Sequence, residues 1–128
     1  MIGSKDMPET KVIFYKEDDG AVPVLDWLDS LSPKAKAKCR LRIERLQELG
    51  CELRRPEADY LRDGIYELRI RLRRLNYRIL YFFYGNQAAV ISHGLVKERR
   101  IPLREIQKAI ERKAKFVQNP EKHTWEEI

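Results

Sequence analysis

Apolar and polar positions follow two different rhythms along this chain, and the changes of rhythm mark out its elements. Lys11-Val12-Ile13-Phe14-Tyr15 is short, β-branched and aromatic, and predicts a first strand. Lys16 to Gly20 is a turn. From Ala21 to Leu31 the apolar positions are Val24, Leu25, Trp27, Leu28 and Leu31, which is helical spacing, and Pro23 suits a first helical turn. Ser32-Pro33 starts a second helix, with serine as N-cap and proline at the first helical position. Leu41, Leu46 and Leu49, with Ile43 beside them, are its expected buried stripe. Lys34, Lys36, Lys38, Arg40, Arg42 and Arg45 cover the rest, and Gly50 ends it. The two helices form a helical hairpin.

Residues 51–64 read as a charged connection closing on the turn Arg62-Asp63-Gly64. The rhythm then changes to two. Tyr66, Leu68, Ile70 and Leu72 fall on one face of a half-buried strand, and Glu67, Arg69 and Arg71 on the other. After a turn over 73–76, Tyr77 to Tyr84 is apolar except for Arg78 and reads as a central strand. Gly85-Asn86 is a hairpin turn, and Gln87 to His93 is the last strand of an antiparallel meander. A final helix runs from Leu103 to about Val117, with Leu103, Ile106, Ile110 and Ala114 inward and Ala109 and Phe116 at the edges. The expected class is α+β in the order β-α-α-β-β-β-α. Residues 1–10 read as a flexible lead-in, 11–117 as one domain, and 118–128 as a polar, disordered tail. The tyrosines and phenylalanines from Tyr77 to Tyr84 read as core, and Trp27 as a bridge between hairpin and sheet.

Composition narrows the partners. The chain has 128 residues, 43% hydrophobic and 36% charged, with a net charge of +6. That suits one modest core under a charged surface, and a polyanion or an acidic protein as partner. Cys39 and Cys51 make no disulfide framework, and no apolar run is long enough for a membrane span or a secretory leader, so a cytoplasmic protein without membrane partners is expected. Glycine-rich phosphate loops, metal-ligand clusters and nucleophile triads are absent from the sequence, and no cofactor or metal is expected.

One concentration of residues carries chemistry. Arg69, Arg71, Arg73, Arg74 and Arg78 fall together with no acid between them, and Lys97, Arg99, Arg100 and Arg104 follow the last strand. Guanidinium forks suit phosphate oxygens and stabilise the extra charge of a five-coordinate phosphorus. They are poor proton bases, so Lys97, His93, Glu67 and the tyrosines are candidates for proton transfer. Arg78 stands alone in an apolar strand, so it either pairs with an acid such as Glu67 or faces an anion-binding cleft. The same arginines also fit a solvated sheet face or a face for a protein partner.

Three ordered blocks carry a resemblance. Leu61-Arg62-Asp63-Gly64-Ile65-Tyr66-Glu67-Leu68-Arg69 resembles the L-x-x-G-hydrophobic-Y/W-E-L-R signature of the phage-derived branch of RelE/HigB-like toxins, within the RelE/ParE superfamily. Asn76-Tyr77-Arg78-Ile79-Leu80-Tyr81 resembles that family's Y-R strand. His93-Gly94-Leu95-Val96-Lys97-Glu98-Arg99-Arg100-Ile101-Pro102 resembles its H-x-F-x-K-K-x-x-x-P stretch, with Glu98 where the second lysine is expected. The resemblance spans about residues 11–117. It implies a RelE/ParE-like sheet carrying a helical hairpin, and a toxin that cuts mRNA on the ribosome by metal-free attack of a 2′-OH on the adjacent phosphate. It implies a cognate helix-turn-helix antitoxin as partner, and DNA contact only through the antitoxin complex. By similarity, Arg78, Arg69 and Lys97 are the catalytic positions, with Arg71, Arg73, Arg74, His93, Arg99 and Arg100 around the substrate. The general base stays open between these groups. Two alternatives share the fold: a ParE-like toxin that inhibits gyrase without nuclease chemistry, and a non-catalytic basic regulator.

Overall fold

A computed structural model describes residues 9–97 and 99–127; most of the expected lead-in, and Glu98, lie outside them. Over the described residues the fold is α+β, a mostly antiparallel six-stranded sheet with three α-helices. The strands are β1 (Lys11–Tyr15), β2 (Ala58–Arg62), β3 (Ile65–Leu72), β4 (Leu75–Tyr84), β5 (Ala88–Val96) and β6 (Thr124–Trp125). The helices are α1 (Pro23–Asp29), α2 (Pro33–Leu49) and α3 (Leu103–Gln118). Spatial order is β2-β3-β4-β5-β1-β6, and β1 runs parallel to β5 while every other pair is antiparallel. Among the described residues no helix is long and apolar enough to cross a membrane.

Both faces of the sheet are covered, by different elements. The α1–α2 hairpin packs on the face bearing Phe14, Leu68, Ile70, Tyr77, Ile79 and Ile91. Helix α3 packs on the other, over Ile65, Leu80, Phe82 and Val90. At the start of α2 the Ser32 hydroxyl accepts from the Ala35 N–H at 3.2 Å, satisfying one of the unpaired first-turn donors. At its end Gly50 takes φ +54°, and a side chain there would also run into Thr10. Trp27 does bridge hairpin and sheet: its ring meets Tyr77 edge-on at 6.3 Å and lies over Gly94 on β5. A Cβ at Gly94 would overlap that ring. Gly94→Ala is therefore expected to lose about 1–3 kcal/mol of stability, read as a lower urea midpoint at unchanged slope.

Four expectations need correction. The charged connection contains β2, whose short alternation of Ala58 and Tyr60 against Asp59 is too brief and polar to stand out. The tail after Asn119 is packed: β6 pairs with β1, Trp125 stacks on Phe14 at 5.4 Å and His123 stacks on Tyr15 at 5.0 Å. The buried stripe of α2 keeps the expected Ile43 and Leu46 but is completed by Ala35 and Cys39, and Leu41 points to solvent. On α3 the inward residues are Ile106, Ala109 and Phe116, and Leu103 is exposed.

Candidate functional site

Register alone assembles the arginines. Arg69 sits opposite Arg78 across β3 and β4, and Arg71 opposite Asn76. Alternation puts all four on the α3 side of the sheet, beyond the area that α3 covers. There an open groove of about 420 Å³ is lined by Lys38, Arg42, Pro56, Arg69, Ile70, Arg71, Asn76 and Arg78. Lys38 and Arg42 enter it from α2. Strand β2 stops pairing with β3 near Leu68, and among the described residues the Arg69 and Arg71 carbonyls have no strand partner. Lys38 Nζ donates to the Arg71 carbonyl at 2.7 Å, and Arg42 donates to that of Arg69. Two cations thus close the open end of a ladder and line the groove at once.

Arg78 is the buried member. Its Nε lies 3.1 Å from Glu67 Oε1, and both side chains are about nine-tenths buried. Among the described residues neither atom makes an aligned hydrogen bond, and charge rather than hydrogen-bond geometry holds the pair. Burial pushes the Glu67 carboxyl up and the Arg78 guanidinium down, each further than their mutual attraction pulls it back. Arg69 stands beside them at 3.9 Å from Glu67 and is more exposed. Directly across from Glu67 lies Asp59 on β2, whose carboxyl is held low by hydrogen bonding to Arg55. Two carboxyls face each other, one pushed towards protonation and one held anionic.

The other anticipated residues divide. Arg71 lines the groove with Arg69 and Arg78. Arg73 and Arg74 occupy the β3–β4 turn, where Arg73 adopts φ +59°, and they line a separate groove with Pro33, Leu72, Leu75 and Tyr77 on the hairpin side. Lys97 is exposed; its N–H donates to the Asn76 carbonyl at 2.9 Å, one rung past the end of β5. Arg99 and Arg100 are exposed in the loop before α3. His93 is not in the groove. It is 7% exposed, with Nε2 at 2.9 Å from Glu105 and Nδ1 at 2.7 Å from the Ser92 hydroxyl. Arg112 reaches the same hydroxyl and Glu17, tying α3 to β5 and to the segment after β1. Tyr77 and Tyr81 are buried on the hairpin face, the face opposite Arg69, Arg71 and Arg78.

Residues 26–114 match the family described as phage-derived protein Gp49-like (DUF891). The chain belongs to the Gp49-like family. That family is related to the toxins of toxin–antitoxin pairs. No curated protein matches the chain. In this Gp49-like protein the matched stretch runs from α1 well into α3 and contains every residue lining the arginine groove, while β1 and β6 lie outside it.

The Gp49-like chain also shows what its sequence hid. Lys38, Arg42, Asn76 and Asp59 join the site only through tertiary structure. Lys38 and Arg42 are four apart on one helix face, but nothing sets them apart from the other basic residues of α2. The burial of His93 has a consequence for pH. Desolvation first, and then Arg112 and Lys108, hold its pKa down to about 4 against the pull of Glu105. An unfolded histidine titrates near 6.5. The unfolded chain therefore binds the proton first as pH falls, and stability is lost progressively below about pH 6.5. Between pH 7 and pH 5 the expected loss is about 2 kcal/mol. Urea titrations at the two pH values measure it, and His93→Gln should flatten the difference; an equally steep loss in His93→Gln would place its cause elsewhere.

Proposed function

We propose that this Gp49-like protein is the toxin of a toxin–antitoxin pair and an endoribonuclease that cuts mRNA presented by the ribosome. The observation that carries the reading is Arg78, paired with the buried Glu67 and lining a groove with Arg69, Arg71, Lys38 and Arg42. Such a groove holds an RNA backbone by charge, and its arginines supply bidentate donors to a phosphate.

The chemistry follows from these groups. The substrate 2′-oxygen attacks the adjacent phosphorus, and its proton passes to Glu67, a carboxyl that burial pushes above its ordinary range and so towards accepting a proton. Arg78 and Arg69 stabilise the added negative charge on the phosphorane oxygens. The P–O5′ bond breaks, leaving a 2′,3′-cyclic phosphate and a 5′-hydroxyl. Lys97, exposed beyond the end of β5, is the candidate that protonates the leaving oxygen. The arginines provide the charge neutralisation, and the route calls on no metal. A helix-turn-helix antitoxin is the expected neutralising partner.

Primer extension on transcripts from cells expressing the chain tests the reading. Codon-phased cuts on translated messages, lost when translation is blocked, are the expected result. Intact transcripts with broken chromosomal DNA would instead indicate a gyrase-directed toxin. Intact nucleic acids and a tight antitoxin complex would indicate a regulator in which Glu67 merely neutralises Arg78.

A further inference from the structure

On the opposite face of the sheet a row of aromatic rings runs outward to the β2 edge. Tyr60 sits directly opposite Tyr66, and Tyr66 opposite Tyr81. Centroids are 5.0 Å apart for Tyr60–Tyr66 and 5.5 Å for Tyr66–Tyr81, and Phe83 meets Tyr66 edge-on at 5.2 Å. Exposure rises along the row. Tyr81 is buried, Tyr66 and Phe83 are half-buried, and Tyr60 is 51% exposed. The Tyr60 ring is nevertheless fixed. Its hydroxyl accepts from the Gly64 N–H at 3.0 Å, and the edge-on contact with Tyr66 holds its plane. A fixed, half-open ring has already lost the conformational freedom that stacking would otherwise cost.

The surroundings are polar and cationic. Tyr60 and Tyr66 line a groove of about 480 Å³ together with Arg54, Arg55, Asp59 and Leu53. Arg54 and Arg55 are exposed, and the Arg55–Asp59 pair, at 2.8 Å, sets donors and an acceptor beside the rings. The two grooves meet in sequence at the turn before β2: Pro56 lines the arginine groove, and Arg54 and Arg55, just before it in the chain, line the aromatic one.

We propose that the Tyr60–Tyr66 groove is a stacking site for an unpaired nucleobase flanking the phosphate held by Arg69 and Arg78. This rests on the RNA reading above and adds a base-binding subsite to it. Rings give stacking to any base, the adjoining arginines hold the backbone, and Arg55 and Asp59 meet polar base edges. An apolar peptide would leave those two charged groups unused.

The test uses fluorescence anisotropy with two short, labelled, non-cleavable probes of equal charge: a single-stranded 2′-O-methyl RNA, and the same backbone with abasic sites. The parent is expected to prefer the base-bearing probe by about tenfold, Tyr60→Ala to lose that preference, and Tyr60→Trp to retain it. Thermal unfolding checks that the variants are folded. Arg78→Ala is expected to weaken both probes equally and leave the preference intact. The proposal is overturned if Tyr60→Ala keeps the preference, or if it weakens both probes alike, as mere damage to cross-strand packing would. If the parent binds neither probe, the RNA reading itself falls and the subsite with it; intact binding without a base preference removes the subsite alone.

Discussion

Arg78→Ala is expected to abolish growth arrest and to lower RNA cleavage by at least about a hundredfold, because the proposed chemistry relies on its guanidinium to stabilise the developing phosphorane charge. The variant should stay folded. Removing the guanidinium leaves Glu67 buried beside Arg69, and a carboxyl that burial already pushes up can take a proton to escape the cost of charge. Arg78→Lys restores the charge but not the planar fork, and should recover only a small part of the activity. Growth assays on induced cells and primer extension on purified ribosomes measure the loss, and circular dichroism checks the fold. Full toxicity in a folded Arg78→Ala protein would remove this groove as the site.

The mirror-image substitution should behave differently. Glu67→Ala leaves a buried guanidinium that has no protonation route out, since arginine keeps its charge at any workable pH. Breaking a buried ion pair from that side costs about 3–5 kcal/mol, so Glu67→Ala should be the more destabilising of the two. Replacing both residues with methionine removes both charges and should recover most of the lost stability. Chemical denaturation of the two single variants and the double variant reads the coupling directly. A double variant that loses as much as the two single variants together would mean that the side chains do not depend on each other. Glu67→Gln, which keeps the shape and loses the base, separates the roles: the proposed chemistry requires that it cut RNA slowly even when well folded.

How far these features could be read in advance depends on how local their causes are. The alternation of Tyr66, Leu68, Ile70 and Leu72 against Glu67, Arg69 and Arg71 is a property of eight consecutive residues, and it placed the arginines on one face correctly. The cap at Ser32 and the stop at Gly50 are equally local. Strand β6 is not, because only the docking of Trp125 on Phe14 and of His123 on Tyr15 makes two residues of a polar segment into a strand. The same holds for Lys38 and Arg42, whose place in the groove depends on where β2 stops pairing with β3. The Glu67–Arg78 pairing was open as one of two possibilities. Diagonal neighbours across β3 and β4 form it while leaving the groove accessible, so the arginine both pairs and lines the cleft. His93 shows the opposite failure: a sound motif position whose side chain a helix has claimed through Glu105.

The two α2 cations at the end of the β3 ladder have a bearing on self-association. A bare pair of backbone acceptors at a sheet margin invites another chain to zip on, and ordered aggregates start that way. Here an ammonium and a guanidinium already occupy both acceptors, and a like-charged copy would meet them head-on. The side chains that give the groove its positive charge are thus the ones that occupy the free acceptors of the sheet margin, so replacing either would change the charge of the groove and bare that margin together.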